Sequence, residues 1–163
     1  MLKTNFKKTY KKDGDSLYGC QYVVSFCTKY KRNILKEKDF ETLRESFNET
    51  AARYDFTVLN MEFHRNEIIL VVDCDPIFGI QNAVIKLKKE SKDALKKADP
   101  SFKTRIPCIW TREHFISTVG NVTEKDLKNF KDSQDNYVES IRKNKEKALA
   151  REAALRETEK LED

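Results

Sequence analysis

Read as apolar and polar positions, the chain alternates between stretches of strand period and stretches of helix period. Residues 17–28 (LYGCQYVVSFCT) are β-branched, aromatic and small apolar residues and predict a strand. In residues 39–54 (DFETLRESFNETAARY), Phe40, Leu43, Phe47 and Ala51 fall three and four apart, which makes one stripe of an amphipathic helix. Residues 56–63 alternate with period two, His64-Arg65-Asn66 is polar and turn-like, and residues 67–74 (EIILVVDC) form the most apolar run of the chain. The two runs predict a hairpin. Pro76 and Gly79 mark a loop, after which residues 80–98 return to helical spacing through Ile80, Val84, Leu87 and Leu95 with lysines outward, until Asp99-Pro100 ends the helix.

Residues 108–120 carry Ile109, Phe115, Ile116 and Val119 and predict a further strand, broken by Gly120-Asn121. Thr123 with Asp126 three residues on resembles a helix N-cap, so a helix should begin near Glu124. Leu127, Phe130, Gln134, Tyr137 and Ile141 then lie three and four apart, and the spacing runs on through Asn144 and Ala148. Beyond them only Leu149, Leu155 and Leu161 interrupt charged residues and alanines, the pattern of a solvated helix.

The order β-α-β-β-α-β followed by a helix predicts an α+β fold: a ferredoxin-like antiparallel sheet, of the kind seen in RNA-recognition motifs, with helices packed on it and a long C-terminal helix. It divides the chain into a basic N-terminal arm (1–16), a domain (17–136) and a charged helical extension (137–163).

At 163 residues the chain can bury one real core. Charged residues make up 36% of it and the net charge is +5, which suits a polyanionic partner, although 27 acids nearly match 32 bases. Cys20, Cys27, Cys74 and Cys108 lie far apart without a CxxC pair, and His64 and His114 are the only histidines, so a zinc site is unsupported and reduced, mostly buried thiols are expected. No apolar run has the length of a membrane span, and no signal-type apolar core follows the N-terminal lysines, so a cytoplasmic protein is expected. Lys29-Tyr30-Lys31-Arg32 reads equally as a solvated loop or as a cluster suited to phosphates and base stacking.

These residues also carry a family resemblance. Lys29-Tyr30-Lys31-Arg32 with Ile34-Leu35 is similar to the "TKYRR..L" that ends the first strand of single-tyrosine, HUH-type transposases of the insertion-sequence 200/605 family. Trp110, Arg112, Phe115, Ser117, Thr118, Val119 and Gly120 resemble that family's "lWxrxyFvsTvG", and Leu59-Asn60-Met61-Glu62 with Ile68 to Val72 resembles the strands around its metal motif. The resemblance spans roughly residues 17–136. It implies a homodimer in which a helix of each subunit completes the other's site, recognition of hairpin or single-stranded DNA, and strand cleavage and rejoining through a phosphotyrosine. A divalent metal (Mg or Mn), held by a His-hydrophobic-His pair and a glutamine, would polarise the phosphate.

Carried over position by position, the chemistry is missing where it should sit. The His-hydrophobic-His positions fall on Glu67, Ile68 and Ile69, and the nucleophile position falls on Phe130. Only the glutamine persists, as Gln134. A phenyl ring has no oxygen to attack phosphorus, and isoleucine has no lone pair for a metal. Glu67, read as an exposed strand-end residue, leaves at most a weak Mg or Mn site beside Gln134. Tyr137, two turns past Phe130 and about 10 Å along one helix, is the substitute nucleophile to consider.

The expectation is an inactive transposase-like DNA-binding homodimer that pairs through the helix of Phe130 and Gln134, with Lys29, Lys31, Arg32, Lys86, Lys88, Lys89 and Arg112 contacting phosphates. Two other readings share the sequence. One is a working transposase with a rearranged site of Glu67, Gln134 and Tyr137; the other is a helical interaction protein that pairs with an active family member.

Overall fold

The computed structural model describes residues 10–102, 108–120, 123–134 and 136–159. The first elements form a small ribbon, β1 (Lys11–Asp13) and β2 (Ser16–Tyr18), turning at Gly14, whose φ of 54° is a left-handed conformation that glycine adopts without steric cost. The expected 17–28 strand is therefore divided at Gly19-Cys20, and part of the expected arm is strand; residues 1–9 lie outside the described residues. A Lys11–Asp73 ion pair at 3.4 Å ties the ribbon to the main sheet.

That sheet comprises β3 (Gln21–Cys27), β4 (Thr57–Phe63), β5 (Glu67–Asp73) and β6 (Phe115–Thr118), all antiparallel, in the order β4-β5-β3-β6. Every residue of β5 is buried, which is why the sequence there is an unbroken apolar run rather than an alternation. The helices α1 (Glu37–Arg53) and α2 (Ile80–Ala98) cover one face of the sheet. Val24, Phe26, Ile68, Leu70 and Val72 meet Leu43, Phe47, Val84 and Leu87 there, and all nine are fully buried. Asp39 starts α1 by accepting from the Lys36 backbone N–H at 2.8 Å.

Period two sends Val23, Ser25, Glu67, Ile69 and Val71 to the opposite face. It is covered by α3 (Glu124–Ser133), whose Leu127 packs on Val23, Ile69 and Val71. The fold is thus the α+β sandwich that the element order predicts.

Two elements differ from expectation. Within residues 108–120, Ile109 and Trp110 are buried and Trp110 bridges Thr28, but regular strand begins only at Phe115. The intervening carbonyls of Thr111, Arg112 and Glu113 turn instead to the Lys88 ammonium, at 2.8, 3.1 and 3.3 Å. The long final helix is also two helices, α3 and α4 (Tyr137–Glu159). Ser133 Oγ donates to the Phe130 carbonyl, Gln134 is extended (φ −70°, ψ 136°), and Asn136 Oδ1 accepts from the Glu139 N–H to start the next helix. Leu161 and the side chain of Leu155 lie outside what is described.

Candidate functional site

The site is the sheet face under α3. Thr123 fixes where that helix starts: its hydroxyl accepts from the Asp126 N–H, and the Asp126 carboxylate accepts from the Thr123 N–H at 2.8 Å and hydroxyl at 2.7 Å. These hydrogen bonds hold the Asp126 carboxyl below its ordinary range. From that start, helical spacing places Leu127 on the apolar face, sets the Phe130 ring 5.8 Å from Phe115, and brings Lys131 over the end of β5.

Glu67 is the centre of what lies beneath. It is buried, contrary to its reading as an exposed strand-end glutamate, because α3 folds over it. Both carboxylate oxygens are engaged: Oε1 accepts from Ser25 Oγ at 2.9 Å, and Oε2 stands 3.0 Å from Lys131 Nζ. Its neighbour Ile69 is buried among Val23, Val71 and Leu127. Gln134, also buried, donates from Nε2 to Glu113 Oε2 at 2.9 Å. The two residues left to hold a metal thus face different partners.

A divalent ion of the magnesium type needs a near-octahedral set of oxygen donors. Here the one carboxylate on offer already has a hydroxyl and an ammonium on it, Ile69 supplies nothing, and the glutamine amide is bound to Glu113. No three His, Cys, Asp or Glu among the described residues cluster as a metal site. The residues present do not fit the divalent ion that the resemblance implies.

The basic cluster lies beside this face. Lys29–Lys31 form one 3₁₀ turn in which Tyr30 (φ 62°) and Lys31 (φ 51°) are both left-handed. Hydrogen bonds from Thr28 Oγ1 to the Arg32 carbonyl (2.7 Å) and from Asn66 Nδ2 to the Lys31 carbonyl (3.3 Å) hold the turn. The Arg32 guanidinium lies 4.1 Å from the Tyr137 ring and 5.7 Å from the Tyr30 ring, and Lys29 Nζ lies 5.0 Å from Tyr30. An open groove of about 350 Å³ runs between this turn and the end of α3, lined by Lys29, Tyr30, Arg112, Glu113, Gln134 and Lys143 among others.

The other predicted basic residues separate. Lys88 points inward to three carbonyls, and burial lowers its pKa to about 8, so it is not a surface cation like its neighbours. Lys86 sits 4.8 Å over Tyr54, and Lys89 is exposed on the same helix, across the sheet from α3. Lys88 and Lys89 line a groove with Arg112, and Arg112 also borders the groove of Lys29 and Tyr30, while Lys86 sits apart over Tyr54. Tyr137, instead of sharing a helical stripe with Phe130, lies past the break and is gripped by Arg32; it is half-exposed. Cys108 is exposed and Cys20 half-buried, against the expectation of mostly buried thiols; burial pushes Cys27 up to about 11 and Cys74 up to about 12.

Sequence reasoning missed Ser25, Glu113 and Lys131. Ser25 had a signal, since period two puts it on the face of Val23, and so had Lys131, four residues after Leu127. Glu113 had none beyond its place between the motif residues Arg112 and Phe115.

Known proteins resemble this chain in sequence and in fold. The ISDra2 transposase TnpA of Deinococcus radiodurans is 25% identical over 126 residues, which cover 76% of this chain and 90% of that protein. A crystal structure of a candidate transposase from Deinococcus radiodurans R1 superposes with a TM-score of 0.72 at 20% identity, over 77% of this chain and 98% of the other, and so shares its fold. A tyrosine transposase bound to a REP hairpin gives a TM-score of 0.49 at 12% identity over 77% and 67% of the two chains. The description "Transposase IS200 like" matches residues 16–134, from β2 through Gln134 at the end of α3 and well over half of the chain. On that match, this chain belongs to the IS200-like transposase family.

Proposed function

We propose that this chain is a transposase-family DNA-binding protein that grips hairpin or single-stranded DNA without cutting it. The observation that carries the reading is Phe130: where the family's chemistry calls for an oxygen nucleophile stands a phenyl ring packed on Phe115. The phosphate contacts are Lys29, Lys31, Arg32 and Arg112 around the groove beside Gln134, with Tyr30 as a surface for a base. Such binding weakens with salt, each neutralised phosphate adding about 0.7 to the logarithmic slope for a single strand. The protein acts in the cytoplasm as a homodimer through α3, in which Phe130 keeps the packing ring and lacks the hydroxyl.

Incubation with hairpin DNA, with manganese or with chelator, tests this. A shifted complex without nicking or covalent adduct is expected in both conditions, and Phe130→Tyr is expected to add no more than trace adduct because the metal donors are still missing. Metal-dependent nicking with an adduct on Tyr137 would establish the rearranged enzyme instead. Reversing Lys31 and Arg32 to glutamate should weaken DNA affinity at least about tenfold, or about 1.4 kcal/mol. Unchanged affinity would remove these residues from the interface.

Exposed Val138, Ile141 and Leu149 on α4 favour one second reading, in which this helix also binds a protein partner. Cross-linking with and without residues 138–163 separates the two.

A further inference from the structure

The misfit between this site and a divalent ion has a positive side. Glu67 does have a cation, and that cation is part of the chain. We propose that Lys131 is the resident cation of the site: its ammonium, tethered to α3, fills the place of a divalent ion on Glu67 and bars one from binding. Its DNA arm rests on the DNA-binding reading above; its metal arm does not.

The geometry is that of a built pair. Lys131 Nζ stands 3.0 Å from Glu67 Oε2, the Glu67 side chain is 6% exposed, and the Lys131 side chain is 32% exposed. Ser25 Oγ holds the other carboxylate oxygen at 2.9 Å, so the acceptor cannot swing away. The ammonium is delivered by the same helix turn whose Leu127 packs on Ile69, so seating α3 and seating the cation are one event. An ion bound at Glu67 Oε2 would stand against the ammonium, and like charges in contact at a half-buried site repel strongly.

The surroundings point the same way. The groove of about 270 Å³ around the pair is lined by Glu62, Glu67 and Glu124 as well as by Lys128 and Lys131. With Lys131 in place, two bases stand against three acids. Without it, the acids outnumber the remaining lysine three to one, Glu62 being also in contact with His64 at 3.1 Å, and the local charge turns negative. One side chain thus decides whether this face reads as balanced or as negative.

The experiment is a manganese titration followed by the spin-resonance signal of free ion, without DNA, on the wild type, Ile69→His, Lys131→Met and the double variant. The wild type should retain no stoichiometric ion at about 0.1 mM manganese. Ile69→His alone should gain little, because the ammonium still occupies the carboxylate, while the double variant should bind one ion at least about tenfold more tightly than Ile69→His. Equal affinity of Ile69→His with and without Lys131 would overturn the proposal, as would a wild-type ion lost on Glu67→Gln. Should Lys131→Met fail to fold, Ile69→His/Lys131→Arg, which keeps the charge, is compared with Ile69→His/Lys131→Gln. The former must stay metal-free and the latter must not. In the DNA arm, wild-type affinity for a hairpin should be equal in manganese and in chelator; a several-fold loss in chelator would overturn the proposal. No DNA binding in either condition would sink the functional reading and leave the metal arm to be judged by itself.

Discussion

The two faces of the sheet are made by the same strands and are built on different principles. Against α1 and α2 the core is mainly apolar, from Phe26 and Leu70 to Leu43, Phe47 and Leu87, with Ser91 and the inward Lys88 at its edge. Phe26 meets Phe47 and Trp110 edge-on at 6.3 and 5.0 Å, and Trp110 finds a hydrogen-bond partner in Ser91 at 3.1 Å. Under α3 the apolar patch is small, Val23, Ile69, Val71 and Leu127, and beside it a carboxylate, a hydroxyl and an ammonium are held together. A buried ion pair is weak evidence for stability, because desolvation offsets attraction, but removing one partner is costly. One face therefore carries most of the apolar burial, and the other carries the residues of the candidate site.

The largest effect should come from breaking the first face. Phe47→Ala should cost about 3–5 kcal/mol in urea unfolding, since it empties a fully buried site, and should destabilise every probe together. The corresponding cut on the second face, Leu127→Ala, should cost less, about 2–3 kcal/mol, and should raise hydrogen exchange in α3 before the sheet. Equal global cooperativity for the two variants would erase the distinction. Smaller again, Lys131→Met should cost about 1–2 kcal/mol, discounted because the ammonium is partly exposed, and Glu67→Leu in the same chain should recover most of it. A double variant no better than Lys131→Met would mean that the pair does not act as a unit.

The smallest effect concerns pH. Lys88 has its pKa lowered to about 8, first by burial, so between about 8 and its ordinary value the unfolded chain binds more protons than the folded one. Its unfavourable contribution is fully present below that window and is relieved as pH rises through it. The difference in stability between wild type and Lys88→Met should therefore shift in favour of the wild type from pH 8 to 10, by less than about 1 kcal/mol after solvent screening. A flat difference would show that the three carbonyls stabilise the ammonium as fully as water does.

The contrast between faces also explains what was legible in the sequence. The covered face is periodic, and Phe40, Leu43 and Phe47, the EIILVVDC run and Val84-Leu87 give α1, β5 and α2 almost to the residue. Family resemblance singled out Phe130 and Gln134, which lie on and at the end of α3, and spacing placed the start of α3 through Thr123 and Asp126. The burial of Glu67 could not be read, because it depends on a helix more than fifty residues away folding over it. The break after Ser133 was visible as a Ser-Gln-Asp-Asn run, yet the three-four spacing runs straight across it. Local side-chain bonds to the backbone ended the helix where periodicity continued it.

The turn at Tyr30 and Lys31 has a consequence for evolution and for engineering. Two successive side-chain-bearing residues in left-handed conformation each carry a steric cost, of about 1 kcal/mol, that glycine would not. Replacement by glycine would relax the backbone and take away the ring that faces Arg32 and Lys29. Selection for durability and selection for grip pull this turn in opposite directions, so a screen for thermal robustness alone would be expected to dismantle it first.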